Sequence, residues 1–253
     1  MTLHITAITR NHIVSVSDRL IATSVGYREL DDDRYKHLLL LTDDARVIIT
    51  FAGFAGILGP DEQLKETTID WLTQVVRDTS REGYRGIEQH IAGIFNYAQD
   101  YINGLRRRRI PLADLRLAIL ISGWVGSEQF NYVIDNCLEK AWTWSSQARA
   151  SFTARVRNYG KAKFEDGSYV AFLGNERLAM KRRALHRLLT LSALREDAKE
   201  IFDASVKIIR AAAAQSKGNI GENCSGIRIS RGDPGIEVYD DSNTEIYDTI
   251  MPN

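Results

Sequence analysis

Thr2, Asp18 and Lys36 bring a hydroxyl, a carboxylate and an ammonium into the first part of the chain. A threonine hydroxyl is a poor nucleophile until a neighbouring base takes its proton. An α-amino group, with an ordinary pKa of about 7.7–8.0, is partly neutral near physiological pH and can serve as that base. A nearby ammonium lowers that value further, and a carboxylate holds such an ammonium in place. The run Phe51-Ala-Gly-Phe-Ala-Gly56 adds a glycine-punctuated turn whose backbone N–H groups can face a developing oxyanion. Nucleophilic acyl transfer is the chemistry these groups suit. The same residues also read as structure. Thr2 is then an ordinary second residue, Asp18 and Lys36 an ion pair between sheets, and Gly53 and Gly56 points of close strand-to-helix packing.

Other motifs carry less. Arg106 to Arg109 decorates the end of a predicted helix, where cations are favoured, rather than marking a nucleic-acid surface. Arg231-Gly232-Asp233 runs into Pro234-Gly235 and reads as a turn. Histidines 4, 12, 37, 90 and 186 show no metal-ligand spacing, and Gly53-x-x-Gly56-x-x-Gly59 lacks the pattern of a dinucleotide loop. No cofactor or metal is expected. Trp124, Trp142 and Trp144 read as core or interface aromatics.

The elements that must position the polar groups follow from periodicity. Leu3, Ile5 and Ala7, then Ile13, Val14 and Val16, predict two short strands. Leu38 to Leu41 and Val47 to Ala52 predict a second pair, turned at Thr42-Asp43-Asp44. Helices are expected over Asp61 to Asp78, entered through Pro60, and over Ile87 to Leu105. Strands are then expected at Leu115 to Trp124, Asn131 to Asp135, Phe152 to Val156 and Tyr169 to Phe172. Two more helices, Glu176 to Leu189 and Ser192 to Ala214, turn Leu194, Ala198, Ile201, Phe202, Ile208 and Ile209 inward. Strands at Ser225 to Ile229 and Gly235 to Tyr239 complete the body. Strands, two helices, strands, two helices, strands is not a βαβ alternation. The predicted fold is α+β: a four-layer αββα sandwich of two mainly antiparallel sheets with two helices on each outer face. One domain is expected over 1–240, followed by a polar tail over 241–253.

Composition sets the class. The 253 residues are 44% hydrophobic and 26% charged, with 33 basic and 33 acidic side chains in balance. That neutrality speaks against a polyanion or an anionic membrane as main partner and permits self-association. Cys137 and Cys224 are too few for a disulfide or zinc framework. The opening Met-Thr-Leu-His lacks the basic and apolar regions of a signal peptide, so a reducing cytoplasm is the expected compartment.

On these residues the stretch from Thr2 to Gly56 resembles the start of proteasome β-subunit-like N-terminal-nucleophile hydrolases, in particular their bacterial, Anbu-like relatives. That family has a leading Thr, an Asp sixteen residues on, a Lys before the next strand pair and a Gly-rich turn. Here these correspond to Thr2, Asp18 in Ile-Val-Ser-Val-Ser-Asp-Arg, Lys36 and Gly53. The element order extends the resemblance over nearly the whole chain. It implies attack by the Thr2 hydroxyl after removal of Met1, with the freed amine as base. Lys36 and Asp18 would then tune that base, and the Gly53 N–H would donate to the oxyanion. Strict family spacing from Asp18 falls on Arg34, which shares a strand face with Lys36 if the strand reaches back that far. Arg34 can depress the amine but not shuttle a proton. In place of the family's later helper residues, a Ser near the start of the third helix and an Asp–Ser pair after the fourth, this chain has Leu173-Gly174-Asn175 and Ser216 to Gly221.

The resemblance also implies a substrate pocket with Phe51 at its base and Ile21 and Ala55 on its walls. Such a pocket prefers small or medium apolar side chains. A peptide or protein substrate and assembly into a ring or related homo-oligomer are implied as partners; no pattern points to a particular unfoldase ATPase. Set beside this threonine peptidase or amidohydrolase is a non-catalytic subunit that keeps the sandwich as scaffold or gate.

Overall fold

The computed structural model describes residues 2–22, 29–31, 33–58, 64–139, 144–145, 147–156, 168–174, 179, 181, 183–216, 218, 220–232 and 235–240. In chain order the strands before the first helix are β1 (Leu3–Ile8), β2 (His12–Asp18), β3 (Ile21–Ala22), β4 (Glu29–Asp31), β5 (His37–Leu41), β6 (Ala45–Gly53), β7 (Gly56–Leu58) and β8 (Leu64–Thr67). Helices α1 (Thr68–Arg81) and α2 (Ile87–Arg107) follow, then β9 (Leu117–Val125), β10 (Glu128–Asp135), β11 (Thr153–Val156) and β12 (Tyr169–Gly174). Helices α3 (Arg183–Leu194) and α4 (Ala198–Ala213) lead into β13 (Cys224–Ser230) and β14 (Ile236–Asp240). The fold is α+β, and strands β1–β2, β1–β12, β2–β13, β13–β14, β6–β9, β9–β10, β10–β11, β3–β4 and β7–β8 pair antiparallel. The chain divides into two compact units, residues 1–37 with 158–253, and residues 38–157.

The first unit is built on the sheet β12-β1-β2-β13-β14. Thr9 closes the turn between β1 and β2, its Oγ1 accepting from the N–H groups of Asn11 (3.3 Å) and His12 (2.9 Å). Strand alternation sends Leu3, Ile5, Ala7, Val14 and Val16 into one apolar cluster with Leu189 and Ala193 of α3 and Ile201 and Ile208 of α4. His4, Thr6, Ser15 and Ser17 occupy the alternate positions and are buried as well. Fully burying one such aliphatic side chain contributes about 1.5–3 kcal/mol. The apolar face therefore fixes the register that sets Leu3 opposite Gly174 and Asp18 opposite Cys224.

The second unit carries the sheet β11-β10-β9-β6-β5. Val47, Ile49 and Phe51 of β6 join Leu72 and Val75 of α1 and Ile94 and Ile102 of α2 in its core. The N-terminus of α2 is satisfied by one side chain from outside the helix and one from its own first turn. Asp44 accepts from the Ile87 N–H at 2.9 Å, and Gln89 Oε1 accepts from the Gly86 N–H at 3.2 Å.

Several boundaries differ from the sequence expectation. The first helix starts at Thr68 rather than Asp61. Thr67 Oγ1 accepts from the Asp70 N–H at 3.1 Å while Asp70 Oδ2 accepts from the Thr67 N–H at 3.3 Å, a reciprocal cap that fixes the start. Residues 64–67 are strand instead, paired with 56–58; Pro60 lies outside the described residues. The last helix starts at Ala198 and not Ser192, because Glu196 adopts φ 57° and Asp197 caps the Glu200 N–H at 2.9 Å. Leu194, expected inward, ends α3 at 42% exposure. Strands β3, β4, β7 and β8 are too short to show a period. The tail 241–253 lies outside the described residues, and no described helix is long and apolar enough to cross a membrane.

Candidate active site

Three chain segments of the first unit converge at one end of its sheet. Thr2 leads into β1, Asp18 ends β2, and Lys36 immediately precedes β5. Lys36 Nζ donates to Thr2 Oγ1 at 2.8 Å, to Asp18 Oδ2 at 3.0 Å and to the Leu20 carbonyl at 2.6 Å. Three acceptors match the three donors of an ammonium. Asp18 is held in turn: Oδ1 accepts from the Leu3 N–H at 2.8 Å and Oδ2 from the Gly221 N–H at 3.3 Å. The side chains of Lys36 and Asp18 are fully buried, and Thr2 is 2% exposed.

Burial lowers the Lys36 pKa from its ordinary 10.5, and the charge and hydrogen bond of Asp18 oppose that shift. Buried from water, a cation 2.8 Å from Oγ1 stabilises negative charge developing there far better than it would in water. Because Oγ1 accepts from Lys36, the threonine's own O–H remains free to be given to a base. His37, next in sequence, packs edge-on against His4 with ring centroids 5.6 Å apart. Burial, with the Lys36 charge beside it, lowers the His37 pKa to about 3.

Of the two basic residues weighed from the sequence, the structure brings Lys36 to Asp18. Arg34 Nε instead pairs with Asp31 Oδ2 at 2.6 Å, with half its side chain exposed. Ile21 opens β3 in the same unit and is buried.

Gly53, Phe51 and Ala55 belong to the other unit. Gly53 ends β6 at φ 104°, and a Cβ there would stand 2.0 Å from the Arg116 carbonyl oxygen, so the turn admits glycine alone. Phe51 is fully buried in the core cluster, and Ala55 is partly buried against it. Near Thr2, Gly174 has φ 103°, and a Cβ would lie 1.8 Å from the Thr2 carbonyl oxygen. The absence of a side chain at 174 therefore lets β12 close on the residue that carries the hydroxyl.

Two contributors escaped the sequence reading. The Leu20 carbonyl and the Gly221 N–H are backbone groups, which any residue supplies, so no residue type announces them. Gly221 falls within the stretch that stands where the family carries helper residues, without keeping those residue types, and it contributes through its main chain.

The Thr2 hydroxyl, the Lys36 ammonium and the Asp18 carboxylate thus stand buried together at one end of an antiparallel sheet on which two helices pack. Two solved structures share this fold. Anbu (ancestral beta-subunit) from Yersinia bercovieri superposes with a TM-score of 0.53 at 9% identity, covering 94% of this chain and 86% of that one. A mutant of Anbu from Hyphomicrobium sp. strain MC1 gives 0.54 at 10% identity, over 95% and 88%. The likeness is one of fold. No family model and no curated protein sequence matches the chain.

Proposed function

We propose that this protein is a threonine-type peptidase or amidohydrolase working within a proteasome-like homo-oligomer, with Thr2 as nucleophile once Met1 is removed. One observation carries the reading. The Lys36 ammonium touches both Thr2 Oγ1 and Asp18 Oδ2, all three buried, on a fold shared with Anbu subunits. In the proposed reaction the freed Thr2 amine takes the hydroxyl proton as Oγ1 attacks the substrate carbonyl, and the C–O bond forms. Lys36 stabilises charge on Oγ1 and depresses the amine's pKa, while Asp18 fixes Lys36. The Gly53 N–H donates to the carbonyl oxygen. Collapse of the tetrahedral intermediate passes the proton to the leaving amine, and water then hydrolyses the acyl-enzyme. Packing of the two helix-covered sheets into a four-layer sandwich belongs to this reading, as do Ile21, Phe51 and Ala55 as pocket residues.

A second reading, a non-catalytic scaffold subunit, is favoured by the near-complete burial of Thr2. Intact mass of the native protein together with a fluorogenic peptide panel separates the two. Catalysis predicts loss of Met1 and turnover that disappears in Thr2→Ala with folding and assembly kept. Retained Met1, or turnover surviving in Thr2→Ala, overturns it.

A further inference from the structure

We propose that Arg19 is a positioning residue for Lys36, clamping residues 33–36 through Asp33, Tyr35 and Asp240; the inference rests on the catalytic reading above. Lys36 reaches Thr2 only if the chain leading into β5 is fixed. That segment buries little of itself: Asp33, Arg34 and Tyr35 are exposed, and only Lys36 is enclosed. Apolar packing therefore does not hold it, and polar contacts must.

Arg19 supplies them. It directly follows Asp18, its side chain is 4% exposed, and its N–H is tied to the Asn223 carbonyl at 2.9 Å. One guanidinium nitrogen donates to both carboxylate oxygens of Asp240, at 3.0 and 2.9 Å. The other donates to the Asp33 carbonyl at 3.1 Å and pairs with the Asp33 carboxylate. The face of the guanidinium lies 4.6 Å from the centroid of the Tyr35 ring, whose hydroxyl donates to Asp240 Oδ2 at 2.7 Å. Finally, the Arg34 N–H donates to the Arg19 carbonyl at 3.3 Å. Contacts from Arg19 and Asp240 thus reach Asp33, Arg34 and Tyr35, the three residues before the ammonium.

The geometry calls for arginine in particular. A planar fork satisfies two carboxylates and a carbonyl on separate nitrogens while its face stays available to an aromatic ring; a lysine point charge cannot do all of this. Asp240 ends β14, with Ser225 of β13 as its cross-strand partner. The clamp therefore ties the Lys36 segment to the far edge of the same sheet that carries Thr2 and Asp18.

The test compares wild type with Arg19→Lys, Asp240→Asn and Tyr35→Phe in the full chain. Amide hydrogen exchange is read over residues 33–37, and acetylation of Lys36 by acetic anhydride is read by mass spectrometry. Loss of a charge-assisted contact should speed local exchange about tenfold or more, with Arg19→Lys strongest and Tyr35→Phe weakest. Lys36 should become acetylated while exchange in β1 and β2 stays at the wild-type rate. Acylation of Thr2 by a peptide electrophile should slow, and the rising limb of its pH profile should move up as the amine loses the nearby ammonium. Unchanged exchange over 33–37 in Arg19→Lys and Asp240→Asn overturns the clamp. So does exchange that rises equally across the whole sheet, which marks a general brace. If Arg19→Lys does not fold, the other two variants decide. If wild type is never acylated, the catalytic reading fails alone, because exchange and acetylation still judge the clamp.

Discussion

Replacing Lys36 by methionine keeps an unbranched stem of similar reach and removes only the ammonium. The loss is large because Lys36 and Asp18 are both fully buried. Asp18 keeps the Leu3 and Gly221 N–H donors, yet its charge is left without a counter-ion. Breaking a buried pair from one side costs about 3–5 kcal/mol, a large part of a typical total of about 5–15 kcal/mol. For a chain of this size each kcal/mol lowers Tm by about 2–4 °C, so a fall of about 6–20 °C is expected. Adding Asp18→Asn removes the stranded charge, and the double variant should lose less stability than the two single losses summed. Acylation at Thr2 should fall by about a hundredfold or more in every variant lacking the ammonium, because Oγ1 loses its only charged donor among the described residues. Urea denaturation of the four-member cycle, with the acylation rate of each member, is the assay. Additive stability losses, or Lys36→Met with a wild-type denaturation midpoint or acylation rate, would refute the reasoning.

Gly174→Ala should destabilise by at least about 1–3 kcal/mol, since φ 103° is strained for alanine, and should slow acylation by pushing the Thr2 carbonyl; a thermal melt and the same acylation assay check it. Stability should fall as pH drops from 6.5 toward 3. His37 stays neutral in the fold down to about pH 3, whereas the unfolded chain takes up its proton near 6.5. His37→Leu should flatten that slope by a few kcal/mol across the window, read by urea midpoints at several pH values. Phe51→Ala should cost about 3–5 kcal/mol from its fully buried position and shift peptide preference toward larger side chains, measured on a fluorogenic panel.

The sequence made strand and helix order legible where the period was long enough to see. Helix α2 and strands β1, β2, β6 and β9 lie close to where their apolar spacing puts them. Misreadings fell where local polar chemistry overrode the apolar stripe. Asp70 capping Thr67 cut the first helix short, and Glu196 with Asp197 split the last helix pair at a point the Leu and Ile spacing does not mark. At the site, Thr2, Asp18 and Lys36 stood out through the order and spacing that resemble the family pattern, which apolar periodicity alone does not mark. The choice between Lys36 and Arg34 was not readable, because strand spacing permits both; in the fold Lys36 pairs with Asp18 while Arg34 pairs with Asp31. The backbone partners at Leu20 and Gly221 come from the link between β2 and β3 and from a segment about 200 residues on, a juxtaposition that only folding creates.

The most direct measurement is the mass of the N-terminal peptide after the native protein has reacted with a peptide electrophile selective for N-terminal threonine. The account predicts a peptide that begins at Thr2, carries one adduct at that residue and remains unmodified in Lys36→Met over the same time. A peptide that retains Met1, or an adduct on any other residue, contradicts it.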